Sequence, residues 1–161
     1  MKKLFLILAL CFVSVAGFAQ RQGDVAVGGN IGIAPCIEKD MNFTNFGLGL
    51  KAQYNVSDPV RLEMDLDYWA TDKQKGVVDL TANVQYLFKI VDDFMVYPTV
   101  GIGYGHLNGN DVWSANRFVI NAGVGGEYRC NSKISCGLEI KYQYMKDFQR
   151  LPITIGMTYH L

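Results

Sequence analysis

The chain has 161 residues, with 15 basic and 15 acidic side chains and no formal net charge at pH 7, so it lacks a basic footprint for nucleic acid. Glycine (17), tyrosine (9) and phenylalanine (9) are plentiful and proline (4) is scarce, a profile that favours strands joined by tight turns. The length suits one domain.

The first residues of the chain have the three consecutive regions of a secretory signal peptide. Two lysines provide a positive start, residues 4–15 are apolar, and residues 17–19 (Gly-Phe-Ala) form a small-x-small cleavage site. The apolar run is shorter than the roughly 18 residues of a membrane-spanning helix. We therefore expect residues 1–19 to be a cleaved signal peptide and residues 20–161 to form the exported domain.

Apolar and polar residues alternate with period two along almost the whole exported part. The eight alternating segments are, in chain order, 24–34, 44–55, 60–70, 77–88, 94–106, 117–129, 134–144 and 151–161. Each has about ten to twelve residues, the length that crosses a bilayer at a tilt. Polar connections separate them, including residues 89–93 and 145–150. The pattern predicts an all-β fold of eight antiparallel strands.

Alternation alone does not separate a soluble barrel, apolar inside, from a membrane barrel, apolar outside. The positions of the aromatic residues on the apolar face distinguish the two kinds of barrel. We assign these positions by letting the first strand start in the periplasm. Six collect at the outer end: Phe46, Tyr68, Tyr104, Phe118, Tyr142 and Tyr144. Six collect at the periplasmic end: Tyr54, Tyr86, Phe88, Phe94, Tyr128 and Tyr159. Two aromatic girdles around an aliphatic band predict an up-and-down transmembrane β-barrel with short periplasmic turns.

The opposite face carries charged residues, which we predict to form a charge network in the lumen. They are Lys51, Arg61, Glu63, Asp65, Asp67, Asp79, Glu127, Arg129, Glu139 and Lys141. Their signs are interleaved, which favours closed ion pairs over an aqueous channel. We expect Arg61 to pair with Glu63 and Asp65, Arg129 with Glu127, and Glu139 with Lys141.

The stretch PTVGIGYGHL, residues 98–107, has glycine at every second position on the charged face. A dinucleotide-binding loop needs G-x-G-x-x-G before a helix, and neither condition is met. An eight-stranded barrel has an interior barely wide enough for its own side chains. We expect these glycines, together with Gly47, Gly49, Gly123 and Gly125, to make room for long lumen residues such as Arg61, Arg129 and Tyr97.

With these features the chain resembles the outer-membrane β-barrel domain family, the small OmpA/OmpX-type barrels of Gram-negative envelopes. Its final residues look like the family's assembly signal, formed by Gly156, Tyr159 and Leu161, although phenylalanine is the commoner last residue. The resemblance implies an outer-membrane location, contact with outer-membrane lipids and lipopolysaccharide, and insertion by the barrel-assembly machinery. A monomer is expected.

The family fold hosts several functions, so we weigh three of them. The first is a non-enzymatic barrel with a plugged lumen and a structural or surface-interaction role. The alternatives are a lipid-A-modifying enzyme and a small porin. An enzyme would need a base and a nucleophile; His106 lies near Ser114 in sequence, and no serine is evident beside His160. We assign no catalytic, cofactor or metal residue. Residues 111–113 are the best candidates for a surface contact, although an ordinary loop cap is the interpretation that we favour for them.

Three cysteines lie beyond the signal peptide: Cys36, Cys130 and Cys136. An odd number is a poor disulfide framework. Cys130 and Cys136 flank an expected hairpin but do not fall opposite each other in its register, which argues against a bridge.

Overall fold

The computed structural model describes residues 23–37, 44–71, 75–108, 115–146 and 148–161. These ranges contain β1 (Val25–Pro35), β2 (Thr44–Ser57), β3 (Val60–Thr71), β4 (Lys75–Tyr86), β5 (Phe88–Val91), β6 (Phe94–Asn108), β7 (Ala115–Arg129), β8 (Ile134–Met145), β9 (Phe148–Arg150) and β10 (Ile153–His160). Within the same ranges, no helix is both long and apolar enough to cross a membrane.

The sheet closes on itself because its last strand pairs with its first. β1 pairs with β10 from Ala26↔His160 to Ile33↔Ile153, and its other edge pairs with β2. The ring runs β1–β2–β3–β4–β6–β7–β8–β10, while β5 pairs with β6 and β9 pairs with β8. Every pairing is antiparallel. The prediction of a closed, eight-stranded, up-and-down barrel is confirmed.

Two of the eight segments are interrupted, and a proline lies at each break. Between β4 and β5, the register places Pro98 opposite Tyr86, the last residue of β4, and the N–H of the next residue, Leu87, donates to the Pro59 carbonyl at 2.7 Å. Between β9 and β10 the break contains Pro152. Proline has no N–H to donate to a ladder. The connections predicted at residues 89–93 and 145–150 were therefore partly wrong, since β5 and β9 extend into them.

The two faces of the barrel differ in chemistry as the alternation predicts. On β3, Leu62, Met64 and Leu66 are exposed outward, while Arg61 and Glu63 are buried inward. Exposed aliphatic side chains cover the middle of the outer face all around the barrel, which is the surface that hydrocarbon requires.

Aromatic side chains ring both ends of the outer face. At the outer end Tyr104 pairs with Phe118, and their rings meet edge to face at 5.9 Å. At the other end, where Leu161 N donates to the Val25 carbonyl at 2.9 Å, Phe94 pairs with Tyr128. We call this second end periplasmic, following the orientation expected from the sequence. Rings at headgroup depth suit a membrane interface.

Glycines on the inner face lie against large lumen side chains. A Cβ added at Gly47 would strike the Trp69 ring, and one added at Gly125 would lie 2.5 Å from Tyr97 ring carbons. A Cβ at Gly105 would lie 2.8 Å from an Asp79 carboxylate oxygen. The glycines do make room for lumen residues. Tyr97 uses that room as expected, and Trp69 and Asp79, which were not expected to, use it as well.

Candidate functional site

The lumen holds the only large set of buried ionisable groups in the described part of the chain. All ten residues of the predicted charge network share the inward-facing parity of their strands, and Asp67 and Arg129 are half-buried rather than fully buried. The fully buried charges also include Arg150, which the sequence had placed in a connection. That placement was wrong because β9 continues the inward-facing side of the last segment.

Glu63 lies at the centre of the network. Its carboxylate accepts hydrogen bonds from Gln53 Nε2 at 2.7 Å and Gln85 Nε2 at 2.9 Å. Lys51 Nζ lies 3.3 Å away on one side and Lys141 Nζ 3.5 Å away on the other. A buried carboxylate needs such partners to stay ionised, and here two cations and two amides provide them.

Lys141 links three carboxylates. Its ammonium lies 2.7 Å from Asp65 and 2.9 Å from Glu139, as well as near Glu63. Asn83 Nδ2 donates to Asp65 at 2.9 Å, and the Tyr97 hydroxyl donates to Glu139 at 2.9 Å. The middle of the lumen is therefore crossed by direct side-chain contacts between β3, β4, β6 and β8.

Arg61 forms the second contact across the lumen. Its Nη1 donates to Glu127 Oε2 at 2.7 Å, and its Nε donates to Gln85 Oε1 at 2.6 Å. The guanidinium lies 4.8 Å from the centroid of the Tyr97 ring. The expected pairing of Arg61 with Glu63 and Asp65 was wrong, because the Arg61 guanidinium reaches Glu127 on the opposite wall. Glu63 and Asp65 are instead paired with Lys51 and Lys141.

A third set of polar contacts between lumen side chains lies nearer the outer end. Arg150 Nη2 pairs with Asp79 Oδ2, and its guanidinium lies 4.9 Å from the Trp69 ring centroid. Asp67 accepts a hydrogen bond from Asn30 at 3.2 Å. Neither Arg150 nor Trp69 was identified from the sequence, although continuing the inward parity through both strand ends would have found them.

Apolar side chains lie on both sides of the buried charges, toward the two ends of the lumen. At the outer end, the buried cluster consists of Ala34, Trp69, Val77, Val119 and Met145. At the periplasmic end, it consists of Leu87, Met95 and Tyr97. The buried charges between these clusters therefore have little contact with water, in a setting where unpaired ions are costly.

Three carboxylates of the network lie as close as metal ligands would. Oxygen atoms of Glu63, Asp65 and Glu139 fall within 4.8 Å of one another. Lys141 contacts all three, and Lys51 contacts Glu63 and Glu139. The two ammonium groups supply the compensating positive charge, so the cluster is an ion-pair network.

The two histidines occupy opposite ends. His106 is exposed and its Nδ1 lies 2.8 Å from Asn116 Oδ1; Ser114 and residues 111–113 fall outside the described residues. The statement that no serine lies beside His160 was wrong, since its Nε2 lies 2.8 Å from Ser135 Oγ. Strands β8 and β10 pair Ser135 with Thr158, two residues before His160, and no sequence motif indicates this neighbour.

The three residues of the predicted assembly signal lie on the closing strand or directly after it. Gly156 pairs with Asn30 and Gly137 on the two neighbouring strands. Tyr159 and Leu161 are exposed on the outer face, at the periplasmic end.

Comparison with known proteins identifies the class. The model of the outer membrane protein beta-barrel domain family matches residues 5–160. The chain belongs to this family, and it is an outer-membrane β-barrel protein of Gram-negative bacteria, in contact with outer-membrane lipids. No functionally curated protein matches it in sequence.

Solved structures show the same fold at low identity. Neisserial surface protein A (NspA) has a TM-score of 0.72 at 12% identity over 84% of this chain and 96% of its own. The N-terminal barrel domain of Pseudomonas aeruginosa OprF has a TM-score of 0.65 at 15% identity, covering 88% and 100% of the two chains. Ail, the attachment invasion locus protein of Yersinia pestis, has a TM-score of 0.63 at 13% identity, covering 87% and 99%.

Proposed function

We propose that this protein is a non-enzymatic barrel whose lumen is plugged by its own side chains, with a structural or surface-interaction role in the envelope. The observation that carries the proposal is the central network, in which Lys141 joins Asp65, Glu63 and Glu139 at 2.7 to 3.5 Å. An ion entering the lumen would have to separate these contacts in a dry layer. This supports a sealed barrel over a small porin.

The apolar clusters support the same conclusion. Water that reached the charged layer from outside would first pass Trp69, Val119 and Met145, which are almost wholly buried. From the periplasm it would pass Leu87 and Met95. An open pore needs a hydrated path, and apolar constrictions exclude water.

The geometry around His160 supports a non-enzymatic role. Ser135 is fully buried, which keeps its hydroxyl from a lipid substrate. Of the carboxylates around His160, Glu127 lies 4.0 Å from Nε2, the same nitrogen that contacts Ser135. A nucleophile triad instead needs the acid on the other ring nitrogen, where it orients the base. This serine also lies at the periplasmic end, away from the outer leaflet.

The proposal includes a route to the membrane. Residues 1–19 would be removed after export, and the barrel-assembly machinery would engage the last strand through Gly156, Tyr159 and Leu161. Outward exposure of Tyr159 and Leu161 leaves both accessible before lipid covers them. A monomer in contact with lipopolysaccharide is supported by the ring of eight segments, which satisfies its strand edges within one chain.

The test compares cells with the gene, without it, and with it restored. We expect identical lipid A mass spectra and identical uptake of small hydrophilic solutes in all three strains. A lipid A species that depends on the gene would overturn the non-enzymatic role, and His106→Ala and His160→Ala variants would then locate the base. Solute uptake that depends on the gene would overturn the plugged lumen.

A further inference from the structure

The turn between β7 and β8 brings two thiols together at the periplasmic end of the barrel. Cys130 directly follows β7, and Cys136 is the third residue of β8. Their sulfur atoms lie 3.1 Å apart. Both side chains lie on the outer face, and Cys130 is exposed.

The register agrees with the expectation that the two cysteines are not directly opposite. Cys136 pairs with Tyr128, whereas the Cys130 N–H donates to the Ile134 carbonyl at 2.9 Å. The pair is therefore diagonal across the hairpin. A disulfide needs sulfur atoms about 2.0 Å apart, so an approach of about 1 Å is required. Cys130 can provide it because it lies beyond the last ladder pair, Arg129↔Ser135.

The turn is already ordered around this pair. Asn131 Oδ1 accepts hydrogen bonds from the backbone N–H groups of Lys133 at 2.8 Å and Ile134 at 2.9 Å. An asparagine side chain that bonds its own turn in this way fixes the turn's shape. The two thiols are thus held close together before any oxidation.

We propose that Cys130 and Cys136 form a disulfide that cross-links the β7–β8 turn on the periplasmic side. The reaction is thiol–disulfide exchange with a disulfide-bearing oxidant of the periplasm, a compartment in which disulfides persist. The Cys130 thiolate attacks one sulfur of the oxidant and expels its partner thiolate. The Cys136 thiolate then attacks the Cys130 sulfur and expels the second. The chain loses two protons and two electrons, and the oxidant becomes a dithiol.

Cys36 provides an internal reference. It lies at the outer end of β1, where its sulfur donates to the Gln149 carbonyl at 3.3 Å. It is therefore separated from the Cys130–Cys136 pair by the length of the barrel. Oxidation should remove two thiols and leave the Cys36 thiol.

The test uses the folded full chain and oxidised glutathione. The sample is quenched with acid, alkylated after denaturation, and cut with trypsin, which cleaves after Arg129 and Lys133. We expect peptides 130–133 and 134–141 to remain linked until a reductant is added, and Cys36 to be alkylated. The Cys36→Ser variant should give the same linked pair, and Cys136→Ser should give none.

Two outcomes would overturn the proposal. One is that peptides 130–133 and 134–141 of oxidised wild type appear separately and carry no mutual link. The other is that peptide 130–133 is linked to its own copy from a second chain, which would show an intermolecular bond. Unboiled gel migration of each variant identifies the samples that are folded.

Discussion

Arg61 on β3 and Glu127 on β7, 66 positions apart in sequence, form an ion pair across the lumen, with Nη1 and Oε2 2.7 Å apart. The two strands are not neighbours in the sheet. The contact therefore ties opposite walls of the barrel, and both side chains are almost completely buried.

Removing Arg61 should destabilise the folded barrel strongly. Arg61→Ala leaves the Glu127 carboxylate in the lumen without its main cation, a change that typically costs about 3–5 kcal/mol. The free energy of unfolding in urea, measured in lipid vesicles, provides the check. Lys146→Ala is the matched control, because Lys146 is an exposed lysine at the outer end and should change little.

The double variant separates the pair from its surroundings. Arg61→Ala combined with Glu127→Ala should cost less than the sum of the two single changes, since the second change removes the charge that the first left unpaired. Additive costs would mean that the 2.7 Å contact contributes no coupling.

Charge on the outer face should be penalised according to depth. Ala122 is exposed outward in mid-strand, between Val100 and Tyr142. Ala122→Arg should cost about 2–4 kcal/mol, and Ala70→Arg, near the outer end of β3, about 0–1 kcal/mol. Refolding titrations measure the free energy of unfolding of both variants, and Ala122→Leu controls for the larger size of the new side chain. Equal stability of Ala122→Arg and wild type would mean that Ala122 does not face lipid.

Two adjacent glycines test whether the lumen is full. A Cβ at Gly125 would lie 2.5 Å from Tyr97 ring carbons, whereas one at Gly126, on the outer face, would lie 3.4 Å from the Phe94 ring. Gly125→Ala should cost about 1–3 kcal/mol through overpacking, and Gly126→Ala should be close to neutral. The same unfolding titration compares the pair. If the two variants are equally stable, Tyr97 is not held against Gly125.

The folded barrel should resist SDS until it is heated. Its strands are paired around a full circle, so the sheet has no unpaired edge strand at which unfolding could begin. Unboiled and boiled samples of the purified protein should migrate at different positions on a gel. Identical migration at every temperature would contradict a closed barrel.

The sequence predicts the walls of the barrel far better than its contents. The two-residue period of a strand determines which face of the sheet each side chain of β3 lies on. The outward position of Leu62 and the inward position of Glu63 can therefore be predicted from the sequence. The partner of Arg61 cannot be predicted in this way. The position of Glu127 along the barrel axis depends on how the strands are staggered around the ring.

The apolar lumen residues show a second limit. Trp69, Val119 and Met145 point inward yet are apolar, so a rule that assigns apolar residues to lipid passes over them. Arg150 was missed for a related reason, since proline at residue 152 interrupts the last segment and its pattern. Such residues are found by continuing the parity of the strand, whatever their chemistry.

The conductance of wild-type protein in planar lipid bilayers tests the plugged lumen most directly. An eight-stranded barrel filled by the Lys141, Glu63 and Arg61 contacts should give no steady channels, while a sixteen-stranded porin inserted in the same membranes should conduct. Insertion is verified by recovering heat-modifiable protein from the membranes. Inserted wild-type protein should leave the current flat. Steady, nanosiemens-scale wild-type channels would contradict it.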